Sequence, residues 1–319
     1  MKKLYPVVFL KIFRVKFIFV LLSILITSTV YSQDFLFTDN PEVYDAFRST
    51  VLINSQSTLT PGKNGWEFHI RHRFGAIKAD NTFLKNFLGT DLVANIRFGF
   101  VFPIGDKTYV GVGRTKFGKT YDVEAKRLLL VQTTDNSMPF TIAAYVNAAC
   151  MSDDFAPVPK YAFFSDGVTP FAYTFKHRLS YNSQILISRK FGKNLSIELN
   201  PVYIYRNLVP PGEENQTFGL TGGIAFKTSQ NASLLAEYAY RFNNPPANGY
   251  YPLSLGVEFG TVGHAFQIVV SSVRDLNEQP IYSNETTDYF KGEFLFGFNI
   301  KRTFWYKKQK SNDATILPH

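Results

Sequence analysis

Apolar and polar residues alternate with period two through most of residues 50–305, the signature of strands whose two faces meet different surroundings. In 292–304, Phe294, Phe296, Phe298 and Ile300 share one face, while Leu295, Gly297, Asn299 and Lys301 share the other. In 66–74, Trp66, Phe68, Ile70 and Phe74 form an oily face broken by His72, and Glu67, His69, Arg71 and Arg73 lie opposite. In 91–102, Leu92, Ala94, Ile96, Phe98, Phe100 and Phe102 oppose Asn95, Arg97 and Gly99. A soluble sandwich also alternates, with its oily face turned to a shared core. One strand alone does not separate the two.

Length, connections and parity do. Twelve segments follow Trp66: 66–74, 91–102, 108–115, 120–132, 140–150, 175–190, 195–207, 217–227, 232–242, 252–260, 264–274 and 292–304. Most are longer than the five or six residues of an ordinary soluble strand and match the roughly 9–11 that a tilted spanning strand needs. Short links such as Gly105-Asp106-Lys107 and 191–194 alternate with long ones such as 76–90, 151–174 and 275–291, with 116–119 as the exception. Outer-membrane barrels are built this way, with an even strand count and no open edge. The expected fold is therefore all-β, a closed antiparallel transmembrane β-barrel over 66–305 with about 12 strands. A count of 14 would follow if Val51-Leu52-Ile53 were a strand with a partner hidden in 151–174. Residues 33–65 are expected to form a periplasmic arm or a piece folded into the lumen, and 306–319 a disordered tail.

The N-terminus adds an address. Lys2, Lys3, Lys11, Arg14 and Lys16 precede an apolar run from Phe17 to Ile26 interrupted by Ser23, and Thr29-Val30-Tyr31-Ser32 supplies a small-residue cleavage site. That is the layout of a secretory signal over residues 1–32, too short to span hydrocarbon as an anchor. No cysteine stands near Ser32 for lipid attachment, and the lone Cys150 reads as a small structural residue. The chain is expected in the bacterial outer membrane, surrounded by its lipid. The alternating aromatics of 292–304 resemble the signal read by the barrel-assembly machinery, although the tail displaces them from the terminus.

Composition fits. There are 32 Phe, 18 Tyr and 21 Gly, with 45% hydrophobic residues and a mean hydropathy of −0.08. Strands explain that combination, and no second apolar run reaches helix-spanning length. Net charge is +9, but the first 32 residues hold five cations and no acid, so +4 remains. The remaining cations are interleaved with acids rather than set in a stripe, which argues against nucleic-acid binding.

Several strings then carry a resemblance: INSQS at 53–57, HIRHRFG at 69–75, VGVGRTKFGKTYD at 110–122, HRLSYNSQILISRKF at 177–191, YRNLVP at 205–210, VGHAFQIVVSSVR at 262–274 and FGFNIKRTF at 296–304. Together they resemble an uncharacterised Bacteroidota family of outer-membrane β-barrels. The resemblance implies the barrel and the outer membrane, and assigns no activity to any residue.

In such a barrel the lumen-facing set comprises Glu67, His69, Arg71, Arg73, Asn95, Arg97, Asp122, Glu124, Lys126, Arg178, Asn182, Gln184, Glu198, Asn200, Arg206, Glu237, Arg241, Glu258, Gln267, Asn299 and Lys301. Two readings stay open: a packed polar interior that stiffens the barrel, or a water-filled pore whose charges select solutes. A scaffold binding another envelope protein through loops or arm is the alternative to porin-like passage. An enzyme is not expected. His264 is the residue to weigh for outer-membrane lipid hydrolysis, but Ser271 and Ser272 lie roughly 23–27 Å along the strand. The serine two residues after the histidine in the phospholipase pattern is replaced by Phe266. His69 and His72 fall on opposite faces, so no shared metal site is expected, nor any cofactor. Asp153-Asp154 and Glu213-Glu214 read as solvated loop acids, and Gly111 and Gly113 as relief of crowding at a curved wall.

Overall fold

The computed structural model describes residues 42–306 apart from 81, 165, 211, 262 and 285. The signal reading and nearly all of the tail lie outside these residues. The strands are β1 (Gly65–Arg73), β2 (Ile77–Lys78), β3 (Asn95–Pro103), β4 (Thr108–Thr115), β5 (Thr120–Leu130), β6 (Thr141–Met151), β7 (Leu179–Phe191), β8 (Leu195–Arg206), β9 (Gln216–Lys227), β10 (Ala232–Arg241), β11 (Leu253–Thr261), β12 (His264–Ser271) and β13 (Glu293–Trp305). Each long strand pairs with the next, and β1 pairs with β13 from Gly65↔Trp305 to Arg73↔Gly297. That pairing shuts the ring. The short β2 prolongs the path of β1 along β13 at Ile77↔Phe294 and Lys78↔Glu293. The result is a closed antiparallel barrel of twelve strands. The fourteen-strand alternative fails, because Val51 bridges only Gln56 and Phe163 only Pro170, outside the ring.

The period-two pattern sorts the faces. On β3, Asn95 and Arg97 are buried while Phe98, Phe100 and Phe102 are about 40% exposed. Outward aromatics pair across strands, as where Trp66 stacks on Phe304 at 4.3 Å and lies 6.1 Å from Phe102. At the opposite end of β1, His72 stacks on Phe298 at 5.1 Å and meets Phe74 edge-on. An apolar surface of this extent, ringed by aromatics at both ends, is the lipid face of a membrane barrel.

Short connections at 104–107, 131–140, 192–194, 228–231 and 262–263 gather at one end, together with both ends of the ring. The connections 74–94, 152–178, 207–215, 242–252 and 272–292 lie at the other, where 116–119 is the single short one. Strand ends differ from expectation where side chains redirect the backbone. Residues 175–178 form a 3-10 turn that Thr174 and His177 cap. β12 stops at Ser271, whose hydroxyl accepts from Val273 N at 3.0 Å and turns the chain inward.

Candidate functional site: the occupied lumen

The interior holds two inserted segments. The first is the stretch 42–60, which enters and leaves through the short-turn mouth as a hairpin. Its strands meet at Val51↔Gln56, and Leu52 N donates to Ser55 O at 2.9 Å while Ser57 N donates to Thr50 O at 3.0 Å. Apolar anchors fix it: Ala46, Phe47, Leu52 and Ile53 pack with Ala225, Leu235 and Val269 of the wall.

The hairpin tip presents its backbone to charged side chains. Oε2 of Glu237 accepts Ile53 N at 3.3 Å, Asn54 N at 3.0 Å, Ser55 N at 3.0 Å and the Ser55 hydroxyl at 2.9 Å. Successive N–H groups converging on one anion form a nest. The tip's carbonyls face donors: Arg71 reaches Asn54 O at 3.3 Å, Arg73 reaches Ile53 O at 3.4 Å and Asn54 Oδ1 at 2.7 Å, Asn299 reaches Ile53 O at 2.8 Å, and Gln267 reaches Leu52 O at 2.7 Å. Among the described residues no carboxylate lies within 4.0 Å of Arg71 or Arg73 and no cation within that distance of Glu237. These wall charges are compensated through the peptide dipoles of the hairpin.

The stem is held the same way. Lys126 Nζ donates to Thr50 O at 2.9 Å and Ser57 O at 2.7 Å beside the rings of Tyr109 and Tyr145. Asn200 donates to Gln56 O at 2.9 Å, Tyr109 to Gln56 Oε1 at 3.1 Å, and Lys301 to Arg48 O at 2.8 Å. At the mouth, Asp45 bridges Lys190 and Lys227. Burial pushes the Asp45 carboxyl up, but the two ammonium groups outweigh it and hold it below the usual carboxylate value.

The second insert descends from the long-loop end and carries the single-turn helix Glu278–Ile281. Glu278 accepts from Asn182 and Gln184 of β7 and, at 3.0 Å, from Gln56 of the hairpin, so the two inserts meet. Burial raises its carboxyl to about 7. Gln279 donates to Asn147 Oδ1 at 2.7 Å, Arg241 donates to the carbonyls of Tyr282 and Ser283, and Tyr282 packs with Val202, Ile204 and Ala239. Three gaps between the hairpin and the wall measure about 10 Å³ each, room for about one water molecule apiece.

The remaining residues of the sequence-derived set fall into smaller groups. Glu67 accepts from Lys301 at 3.2 Å and meets His69 at 3.0 Å. Arg97 pairs with Asp122 and, at 3.4 Å, with Glu124, which also accepts from Tyr145 at 3.0 Å. The glycines of β4 make room for this cluster: a Cβ on Gly113 would stand 2.2 Å from the Arg97 guanidinium, and one on Gly111 2.8 Å from Glu124. Glu258 accepts from Gln267 at 2.8 Å and faces Arg48 at 3.9 Å. Glu198 is buried beside Leu52 over Gly223. Arg178 and Arg206 stand at the long-loop rim, the first donating to Met151 O and Asp153 O, the second paired with Glu213 at 2.6 Å. His264 is exposed at one end of β12 and Ser271 is buried at the other. Among the described residues no cluster of three or more His, Cys, Asp or Glu is arranged to hold a metal ion.

Sequence reasoning missed Asp45, Asn54, Ser55, Tyr109 and Glu278. Tyr109 follows the inward phase of β4 and could have been found by extending it past Gly111 and Gly113. The others lie outside any periodic segment, and only the acid in the Pro-bearing loop 275–291 offered a signal.

The family described as "Membrane bound beta barrel domain" (DUF5777) matches over residues 47–304. No curated protein matches the sequence. Among solved structures, the KdgM porin is 9% identical with a TM-score of 0.44, covering 75% of this chain and 99% of its own. The NanC porin is 8% identical, with a TM-score of 0.45 and coverage of 74% and 100%. An outer membrane channel from Pseudomonas putida F1 is 10% identical, with a TM-score of 0.44 and coverage of 77% and 97%.

Proposed function

The chain belongs to this family of membrane-bound β-barrels, and from that premise we propose that it is a porin-like conduit of the bacterial outer membrane for small hydrophilic solutes, held shut in this conformation by its N-terminal hairpin and the loop insert that meets it. The observation that carries the reading is the construction of the interior. The wall is polar and charged, and the material filling it comes from segments that are not part of the wall. The hairpin's two strands leave by one mouth, so it can withdraw without threading. Its hold on the wall is made mainly of hydrogen bonds and ion pairs, which water can replace, together with apolar contacts of Ala46, Phe47, Leu52 and Ile53 in one cluster and Tyr44 in another. A barrel of twelve strands emptied in this way is wide enough for a narrow aqueous channel.

The test is solute flux into proteoliposomes. The full chain should admit small sugars slowly, and a variant lacking residues 42–60 and carrying Tyr282→Ala, which frees the loop insert from its apolar cluster, should admit them fast while keeping heat-modifiable migration on gels. A folded, hairpin-free barrel that admits nothing favours the second reading, which draws on the same filled lumen: a permanently closed scaffold that binds another envelope protein. In either case the barrel is non-enzymatic, reaches its membrane through the barrel-assembly machinery and starts at Gln33 after signal removal. N-terminal sequencing of the outer-membrane fraction checks the last point.

A further inference from the structure

The hairpin tip shows what the interior is built to hold. The wall recognises the main chain of Ile53–Ser55 throughout: three consecutive N–H groups go to Glu237, and two carbonyls go to Arg71, Arg73 and Asn299, while the Asn54 side chain adds bonds to Arg73 and Ser254 and the Ser55 hydroxyl one to Glu237. Glu237, Arg71 and Arg73 are 6%, 3% and 0% exposed. Buried charges of opposite sign that do not pair with each other need a compensating occupant between them. Here the occupant is a peptide turn laid with its donors toward the acid and its acceptors toward the bases.

Resting on the conduit reading above, we propose that this zone is a recognition site for short zwitterionic peptides of two or three residues, which the hairpin tip occupies as an internal mimic. A free peptide strengthens both sets of contacts. Its terminal ammonium replaces the nest of N–H groups at Glu237, and its terminal carboxylate replaces the carbonyls at Arg71 and Arg73, a group that guanidinium binds in bidentate fashion. Asn299 and Gln267, which donate to Ile53 O and Leu52 O, remain to hold an internal carbonyl. The size limit follows from the chain itself. The charged groups Glu237, Arg71 and Arg73 take their main-chain partners from three successive residues, 53–55, and a peptide of two or three residues reaches roughly 7–10 Å.

The experiment uses the variant lacking residues 42–60 and carrying Tyr282→Ala, freed of both inserts, in a planar bilayer, with dialanine, N-acetyl-dialanine amide or sucrose added at equal concentration. Dialanine should block current, and the charge-capped form should block on the order of tenfold less, the effect of losing a charge-assisted contact. Glu237→Gln and Arg73→Gln should each weaken the dialanine block. A conducting pore blocked equally by all three solutes overturns the peptide inference and leaves the conduit standing, whereas a folded pore without conductance removes the conduit itself. A second measurement uses the intact chain. Millimolar dialanine should speed hydrogen exchange at 53–55 by competing with the tip, and unchanged exchange would count against the site.

Discussion

Glu237 accepts four hydrogen bonds from the hairpin on one carboxylate oxygen, and a single atom change tests its part. Glu237→Gln removes the charge while keeping the shape, and is expected to cost about 2 kcal/mol, the range of hydrogen bonds to an ionised group. Faster hydrogen exchange at 53–55, with unaltered heat-modifiable migration, is the expected outcome. Arg97 sits in a different balance, facing Asp122 and Glu124 together. Arg97→Met would leave two buried acids uncompensated, and about 3–5 kcal/mol should be lost in a thermal or denaturant melt. Gly113→Ala should act in the same direction and by less, because its Cβ falls on the Arg97 guanidinium and the Asp122 carboxylate, whose ion pair would have to shift. Asp45 and Glu278 respond to pH with opposite signs. Asp45 is held below 3.8 by Lys190 and Lys227, so its contribution is present above that value and is lost as pH falls through the lowered one. Acid should loosen the hairpin mouth, and Asp45→Asn should remove that sensitivity. Glu278 is raised from 4.5 to about 7 by burial, so docking of its loop is strongest below 4.5 and weakens as pH climbs through about 7. Protease cutting within 273–289 should increase over that interval, and Glu278→Gln should flatten the profile.

At the scale of elements, the strands were legible because lipid and lumen impose opposite demands on alternate residues. Trp66, Phe68 and Ile70 against Glu67, His69 and Arg71 fixed both the existence and the phase of β1, and the alternation of long and short links fixed the order. Boundaries were less legible. Residues 272–274 continue an apolar pattern, yet the chain leaves the sheet there because the Ser271 hydroxyl accepts from Val273 N and bends it into the lumen, and 91–94, whose Leu92 and Val93 are exposed, lie outside β3. The two inserts were illegible in detail for different physical reasons. The hairpin tip is held largely through backbone groups, as at Ile53–Ser55, and backbone carries no periodic imprint in the sequence, whereas the loop insert is held by side chains such as Glu278, Gln279 and Tyr282 that stand in no periodic segment. The loop insert has an aromatic anchor that can be removed cleanly. Tyr282→Ala, taken from a cluster with Val202, Ile204 and Ala239, should cost about 3 kcal/mol and release the loop to protease, leaving the barrel folded.

The whole molecule is a ring shut against lipid on the outside and filled on the inside by two segments of its own chain. The apolar exterior follows from the bilayer, whereas inside some wall charges pair with one another and others, Glu237, Arg71 and Arg73, bind the hairpin instead. They hold residues 42–60 in place, and departure of that hairpin together with the loop insert would leave a hydrated, charge-lined passage rather than a collapsed one. The most direct test is amide hydrogen exchange of the intact protein in detergent or lipid, followed through peptides covering residues 50–57. Those amides should exchange as slowly as the neighbouring strand β10, because Glu237 and the hairpin's own bonds hold them out of solvent. Complete exchange within seconds, while β10 stays protected, would show the lumen without its hairpin and contradict the account.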